Sequence, residues 1–161
     1  MDIVIAVDDL RGPEIAALLQ RHLDLMYSIT PAGSVHALDL DRLRVPEIMF
    51  WNARLNDKPG GKLGGKLVGC VALKEFGGDQ GEIKSLHTMI EHRGQGIAQA
   101  LVSHLIAEAK SRGLKNLWLE TGKTEGFMPA QKLYEGFGFA ECGPFGDYAF
   151  DAHSHYMTRT V

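Results

Sequence analysis

The clearest periodic pattern in the chain lies between residues 97 and 109. Apolar residues recur there every three or four positions, at Ile97, Leu101, Val102, Leu105, Ile106 and Ala109. This spacing predicts an amphipathic helix with one face on the core. Gly113 follows where a left-handed residue would end the helix, and Leu117 to Leu119 then has the composition of a buried strand.

The N-terminal part predicts an edge strand and two helices. Ile3 to Val7 is apolar enough for an edge strand, and a helix is expected to start near Pro13, capped by Asp8 or Asp9. Its predicted apolar face consists of Ile15, Leu18, Leu19, Leu23 and Met26. A second, shorter helix is predicted from Ser34 to Arg44, with Ser34 as its cap and with Leu38 and Leu43 facing inward.

Further strands are predicted along the rest of the chain. They are Glu47 to Leu55, Leu67 to Glu75, Gly81 to Met89, Lys115 to Thr121, Phe139 to Glu141 and His155 to Thr160. The run Leu67 to Leu73 is continuously apolar, which is typical of a strand covered on both faces. This order of elements predicts an α/β (α+β) protein, a mixed sheet with helices on both faces.

Composition narrows the class of protein. A length of 161 residues agrees with one domain spanning 1–161, and a net charge of −3 argues against a nucleic-acid surface. Apolar runs are too short for a membrane span, so a cytoplasmic protein, monomeric or homodimeric, is the expectation. Cys70 and Cys142 have no metal or redox spacing.

A glycine-rich turn, Glu91 to Ala98, leads directly into the predicted central helix. Gly94 and Gly96 have no Cβ, so an anion can approach the backbone and the unpaired N–H groups of the first helical turn. Arg93 adds a positive charge. A dinucleotide site is not favoured, because Gln99 replaces the third glycine and Lys115 occupies the expected position of a ribose-binding acid.

A second glycine-rich segment, residues 60–66, has the glycine and lysine positions of a Walker A loop. Leu67 replaces the Ser or Thr that would hold magnesium, and an apolar strand follows instead of a helix. We therefore interpret residues 56–66 as a mobile hairpin loop and not as an ATP site.

A second motif gives the turn at 91–98 a family context. Ala130 to Phe139 matches the pattern Ala-x-x-Leu-Tyr-x-x-x-Gly-Phe at every defining position. With the Gly94-x-Gly96 loop upstream, the chain resembles the GNAT superfamily of N-acetyltransferases. Two positions depart from the pattern of that family. Glu91 replaces the first Gln or Arg of the loop, although the overlapping register Arg93-x-x-Gly96-x-Ala98 also fits the loop pattern. Phe127 occupies a position that is often filled by Asn.

The resemblance implies a fold and a cofactor. The fold would be a mixed, mostly antiparallel twisted sheet of about six or seven strands, with a splayed central parallel pair. Acetyl-coenzyme A (acetyl-CoA) would be the acyl donor, and no metal would be required. The residues that would bind it are Leu86, His87, Thr88, Arg93, Gly94, Gln95, Gly96, Ile97 and Ala98. Tyr134 would protonate the departing thiolate.

An amine that attacks a thioester also needs a base, because a free alkyl amine with a pKa near ~10.4 is mostly protonated at neutral pH. Glu82 lies at about the position where some family members carry a general-base Glu. The alternative is that Lys84 or another basic residue neutralises its charge. The two-residue strand period predicts that Glu82, Lys84, Leu86 and Thr88 share one face, with His87 on the other as a packing residue.

The acceptor side is less defined. Candidate lining residues are His36, Asp39, Trp51, Glu75, Asp147 and Tyr148. The segment Gly143 to Tyr148 either closes over an acceptor or is a hydrophobic plug between strands, and it resembles a stretch of small bacterial family members. His153 and His155 have a spacing that zinc sites use, but no third ligand is evident, which favours surface or substrate-loop histidines.

The resulting hypothesis is an acetyl-CoA-dependent N-acetyltransferase that acts in a ternary complex on a small amine or amino-acid-like acceptor. One alternative is acetylation of a protein lysine or N-terminus. Another is a non-catalytic module that senses coenzyme A, which Tyr134 disfavours because binding alone needs no acid.

Overall fold

The computed structural model describes residues 2–56 and 64–161. These residues form one seven-stranded sheet and four α-helices. The strands are β1 (Asp2–Val7), β2 (Ile48–Asn56), β3 (Lys66–Phe76), β4 (Gln80–Thr88), β5 (Asn116–Gly122), β6 (Ala140–Cys142) and β7 (Ser154–Thr160). The helices are α1 (Pro13–Ile29), α2 (Leu40–Leu43), α3 (Ile97–Ser111) and α4 (Met128–Gly136).

The sheet order is β1-β2-β3-β4-β5-β7-β6, and only β4 and β5 pair in parallel. A helix crosses over between these two strands, because a parallel connection cannot be made by a tight turn. The mixed, mostly antiparallel sheet predicted from the sequence is confirmed. Helices cover both of its faces, also as predicted.

Each face has its own apolar core. α3 and α4 pack on one face, where Leu101, Leu105 and Tyr134 join Val71 and Leu73 of β3. On the other face, α1 and α2 pack against the same strand. The predicted two-sided burial of β3 is confirmed, since residues 67–73 are all buried. Gly113 has the left-handed φ of 74° expected of a residue that ends α3.

The central parallel pair separates after a short pairing. β4 and β5 are paired from Gln80 opposite Asn116 to Ile83 opposite Leu119, and they do not pair beyond that point although both strands continue. The splayed pair expected from the resemblance is therefore present. The opening lies between the C-terminal halves of the two strands.

The structure corrects two predictions about helix starts. α1 begins after Gly12, whereas Asp8 and Asp9 accept hydrogen bonds from the backbone N–H groups two residues ahead. These local turns occupy the side chains that were expected to cap the helix. The predicted helix 34–44 is only Leu40–Leu43, with Asp39 as its cap.

Ser34 has a different role from the predicted one. Its hydroxyl donates to Asp151, 117 residues further along the chain, so a long-range bond replaces the expected local cap. The hairpin loop predicted at 56–66 and the Walker A-like segment fall largely outside the described residues. Within residues 2–56 and 64–161, no helix combines the length and apolar character needed to cross a membrane.

Candidate active site

A cavity of about 500 Å³ opens where β4 and β5 separate. Its walls come from the C-terminal half of α1, the following segment to Leu38, residues 82–88 of β4, the loop before α3, the end of β5 and α4. Eight of the nine predicted cofactor residues line it; Gln95 belongs to the same loop but does not line the cavity. The topology thus brings the glycine loop and the tyrosine motif to one opening.

At one end of the cavity, the glycine loop has the backbone geometry of an anion site. Gly94 and Gly96 have φ values of 75° and 81°, which L residues other than glycine rarely adopt. Gly96 immediately precedes α3, and the first turn of that helix has no acidic side chain. The N–H groups of this turn therefore face the cavity together with Arg93, an arrangement that fits a diphosphate.

The wall of the cavity formed by β4 offers unpaired polar groups. Among the described residues, the edge of β4 that faces β5 has no strand partner beyond Ile83. Within the described part of the chain, the hydroxyl oxygens of Ser85 and Thr88 are buried and without a hydrogen-bond partner. Buried polar groups normally have partners. These orphaned groups and the free strand edge fit the amide-rich pantetheine arm of acetyl-CoA.

Tyr134 lies on the α4 wall of the same cavity and is 6% exposed. Burial, reinforced by the nearby charge of Glu120, raises the pKa of its hydroxyl, so the group stays protonated and can donate. Gln131 of α4 donates to the backbone carbonyl of Gly122 at 2.7 Å. The ring of Phe127 covers Gly122, so this helix is held against the end of β5.

Glu82 lies in a buried triangle of polar groups. Its Oε2 accepts from Lys84 Nζ at 3.0 Å and from the Tyr148 hydroxyl at 2.6 Å, and Lys84 also donates to Tyr148 at 2.9 Å. The sequence left open whether Glu82 is a base or is neutralised by Lys84. The structure contains the ion pair.

Glu120 on β5 is a titratable residue of the cavity that sequence reasoning missed. Burial raises the pKa of its carboxyl group, an effect opposed by a hydrogen bond from Ser154 and by the charges of His36 and Lys84. The only sequence feature that pointed to Glu120 was its position near the end of a predicted strand. A buried carboxyl group with a raised pKa is suited to accept a proton near neutral pH.

The structure corrects the predicted faces of β4. Ser85 has a φ of 54°, and the register with β3 shifts so that Cys70 faces His87 while Ala72 faces Lys84. This bulge adds one residue and reverses the alternation. His87 therefore lies on the same face as Glu82 and Lys84. Thr88 lies on the opposite face, since its partner Gly69 faces α3.

His87 forms a buried pair with His22 of α1, another residue that the sequence analysis missed. Their Nδ1 atoms are 3.1 Å apart, and each side chain is 6% exposed. Burial lowers the pKa of His22 to about 3 and that of His87 to about 4. His22 follows Ile15, Leu18 and Leu19 at helical spacing, so the period of the apolar face already pointed to it.

Two of the predicted acceptor residues line the cavity. They are His36, which contacts Asp151 at 3.1 Å, and Tyr148. Trp51 is a correction: it is 2% exposed and packs edge-on against His104 of α3, inside the opposite core. Trp51 lies on β2 between two neighbouring strands, and the sequence pattern alone did not reveal which face of the sheet its side chain occupies.

The remaining acceptor candidates lie elsewhere. Asp39 caps α2, and a carboxylate oxygen of Glu75 accepts a hydrogen bond from the Arg112 guanidinium at 2.9 Å. Asp147 lines a second cavity of about 660 Å³ beside the first. Neither Asp39 nor Glu75 lines the main cavity.

The segment Gly143 to Tyr148 contains a hydrophobic plug, and closure over an acceptor stays a prediction. Phe145 is a buried plug that packs between Phe76 and Trp118, while Tyr148 reaches the main cavity. His155 lies on β7 with its ring 3.8 Å from Glu141. Across the described ranges, no group of three or more His, Cys, Asp or Glu residues is placed to hold a metal.

Comparison with known proteins agrees with this geometry. Residues 17–139 match the model of the acetyltransferase (GNAT) family. A protein of Bacillus subtilis named uncharacterized N-acetyltransferase YsnE is 45% identical over 157 residues, covering 98% of this chain and 99% of that protein. A protein of Azospirillum brasilense named IAA acetyltransferase is 37% identical over 144 residues, covering 89% and 86%.

A solved structure of similar fold is a GNAT family acetyltransferase from Elizabethkingia anophelis with acetyl-CoA bound. It superposes with a TM-score of 0.68 over 99% of this chain and 98% of that one, at 17% identity. The family model spans most of the chain, and the Bacillus relative is similar over nearly its whole length. The chain therefore belongs to the GNAT family of acetyltransferases and is an acyltransferase.

Proposed function

We propose that the protein transfers the acetyl group of acetyl-CoA to the amine of a small-molecule acceptor by direct attack. The observation that carries the proposal is one continuous cavity with an anion-binding helix start at one end and Tyr134 on its wall. The bound acetyl-CoA in the Elizabethkingia structure and the name of the Azospirillum relative support this donor and a small acceptor.

We infer the donor-binding residues from the lining of the cavity. The first turn of α3 with Gly94, Gly96 and Arg93 would hold the diphosphate. The free edge of β4 beyond Ile83, with the hydroxyl groups of Ser85 and Thr88, would bond the pantetheine arm. When bound, acetyl-CoA supplies the acetyl group as an activated thioester.

Two side chains then handle protons. Tyr134 donates its hydroxyl proton to the leaving sulfur. We assign the base to Glu120 instead of Glu82, because the Oε2 of Glu82 already accepts bonds from Lys84 and Tyr148, whereas burial raises the pKa of Glu120. Glu120 accepts a proton from the ammonium group of the acceptor, directly or through water, and the neutral amine then attacks the thioester carbonyl.

The test is thiol release from acetyl-CoA with a panel of small amines and, in parallel, lysine-containing and free-N-terminus peptides. We expect turnover with small amines and a loss of about 100-fold or more in Glu120→Gln. The matched variant Glu82→Gln has the same change in charge and should lose less.

Three results would contradict the proposal. Faster turnover of peptides than of any small amine would favour the protein acetyltransferase. Binding of acetyl-CoA without turnover of any acceptor would favour the sensor. Equal losses in Glu120→Gln and Glu82→Gln would remove the assignment of Glu120 as the base.

A further inference from the structure

The second cavity adjoins the acceptor end of the first. Both are lined by the segment Val35 to Leu38 and by Glu82, Lys84 and Tyr148. These shared residues form the boundary between the two spaces. The second cavity therefore lies directly beside the part of the main cavity that contains Glu120 and Lys84.

The second cavity is lined by three acidic and three basic side chains, Glu82, Asp147 and Asp151 against Arg42, Lys74 and Lys84. Of its acidic side chains, Glu82 is paired with Lys84 at 3.0 Å and Asp151 with His36 at 3.1 Å. Arg42 and Lys74 also line the cavity, and within residues 2–56 and 64–161 neither has an ion-pair partner.

Asp147 is the remaining acidic side chain of this cavity, and it is exposed. Arg42 and Lys74 are thus the two basic side chains of the lining that form no ion pair with another described residue. Lys74 lies directly across from Glu82 in the β3–β4 register, on the sheet face of α1. The cationic side of the cavity is therefore close to the boundary with the main cavity.

The walls of the second cavity are otherwise apolar. Leu38, Phe76, Phe145 and Phe150 contribute to them. Phe150 is 78% exposed, so its ring is accessible at the rim of this cavity. A lining of aromatic walls with a few placed polar groups is typical of small-molecule sites.

We propose that the second cavity binds the carboxylate and the apolar side chain of the acceptor, which makes the acceptor an α-amino acid with an aromatic or large aliphatic side chain. Lys74 and Arg42 hold the carboxylate, and the phenylalanine walls hold the side chain. The α-amine then points across the boundary toward Glu120. This inference rests on the proposed acetyl transfer and names its acceptor class.

Binding is tested without turnover, by calorimetric titration of the full chain with N-acetyl-L-phenylalanine and with N-acetylphenethylamine, which lacks the carboxylate. We expect the carboxylate ligand to bind about five- to tenfold more tightly. Lys74→Gln should bring the two affinities close together. Asp147→Asn, the matched variant of opposite charge, should keep or increase the preference.

Thiol release with L-phenylalanine and phenethylamine should show the same ratio in kcat/KM. Equal binding of both ligands by the wild type, no binding of either, or a preference that survives in Lys74→Gln would overturn the inference. Turnover of phenethylamine as fast as L-phenylalanine would overturn it too but would leave the proposed acetyl transfer intact. Absence of turnover with every amine would instead contradict the acetyl transfer, and carboxylate binding would still decide the role of Lys74.

Discussion

The buried pair of His22 and His87 makes a quantitative prediction for stability against pH. Their Nδ1 atoms lie 3.1 Å apart, so one ring donates and the other accepts, and both rings are neutral. Burial, and for His22 the charge of His87, lowers the pKa of His22 to about 3. Burial and then the charges of Arg93 and Arg21 lower the pKa of His87 to about 4.

The sign follows from proton counts. In the unfolded chain each histidine has a pKa near ~6.5, so below that pH the unfolded state binds more protons than the folded state. The stability is fully present above about pH 6.5 and is lost as the pH falls toward the folded pKa values. Each pKa unit corresponds to about 1.4 kcal/mol. Acidification to about pH 5 therefore removes about 2 kcal/mol per histidine, or about 4 kcal/mol for the pair.

The assay is urea unfolding at about pH 7.5 and about pH 5 for the wild type and His22→Gln. Glutamine keeps a polar partner for His87 but does not titrate, so the loss on acidification should decrease by about 2 kcal/mol. His153→Gln, on an exposed turn, is the matched control and should behave as the wild type. An equal loss in the wild type and His22→Gln would refute the reasoning, as would an equal effect of the control.

Three further substitutions test other parts of the site. Tyr134→Phe should lower turnover by about 100-fold while leaving acetyl-CoA affinity nearly unchanged, and unchanged turnover would remove the acid role. Gly96→Ala should cost about 1–2 kcal/mol of stability and weaken acetyl-CoA binding, because the φ of Gly96 is 81°. Gly136 in α4 has open space around it and ordinary helical geometry, so Gly136→Ala should change neither stability nor binding in this way. Equal effects of the two substitutions would contradict the role of the left-handed turn. Gly122→Ala should lower the free energy of unfolding by about 1–3 kcal/mol, and Tm with it, because the added Cβ would overlap the ring of Phe127. An unchanged Tm would contradict this packing.

Local patterns predicted much of this fold. The spacing of apolar residues in α3, the uninterrupted apolar run of β3 and the position of Gly113 each depend on neighbouring residues alone, and the structure contains all three. The cofactor end of the site is local as well. A glycine turn joined to a helix start is contiguous in sequence, so its geometry was visible there.

The features that the sequence did not reveal depend on distant contacts. A serine with a left-handed φ at position 85 has no sequence signature, yet it decides which face of the sheet His87 occupies. The Trp51 side chain could pack on either face of the sheet, and the strand register places it in the core beneath α3.

The acceptor end shows the same limit. Ser34 and His36 meet Asp151 across more than one hundred residues, so their partners could not be inferred from spacing. Glu120 has a raised pKa because several elements bury it together. Its role in the cavity became visible only once β5, β7 and the segment before α2 were assembled.

The central claim is that the loop before α3 and the adjoining cleft bind acetyl-CoA. The direct measurement is calorimetric titration of the protein with acetyl-CoA, with ATP and NAD as controls in the same buffer and with Gly96→Ala beside the wild type. We expect acetyl-CoA to bind saturably and ATP and NAD not to bind, and we expect weaker acetyl-CoA binding in Gly96→Ala. No binding of acetyl-CoA, or tighter binding of ATP or NAD, would contradict it.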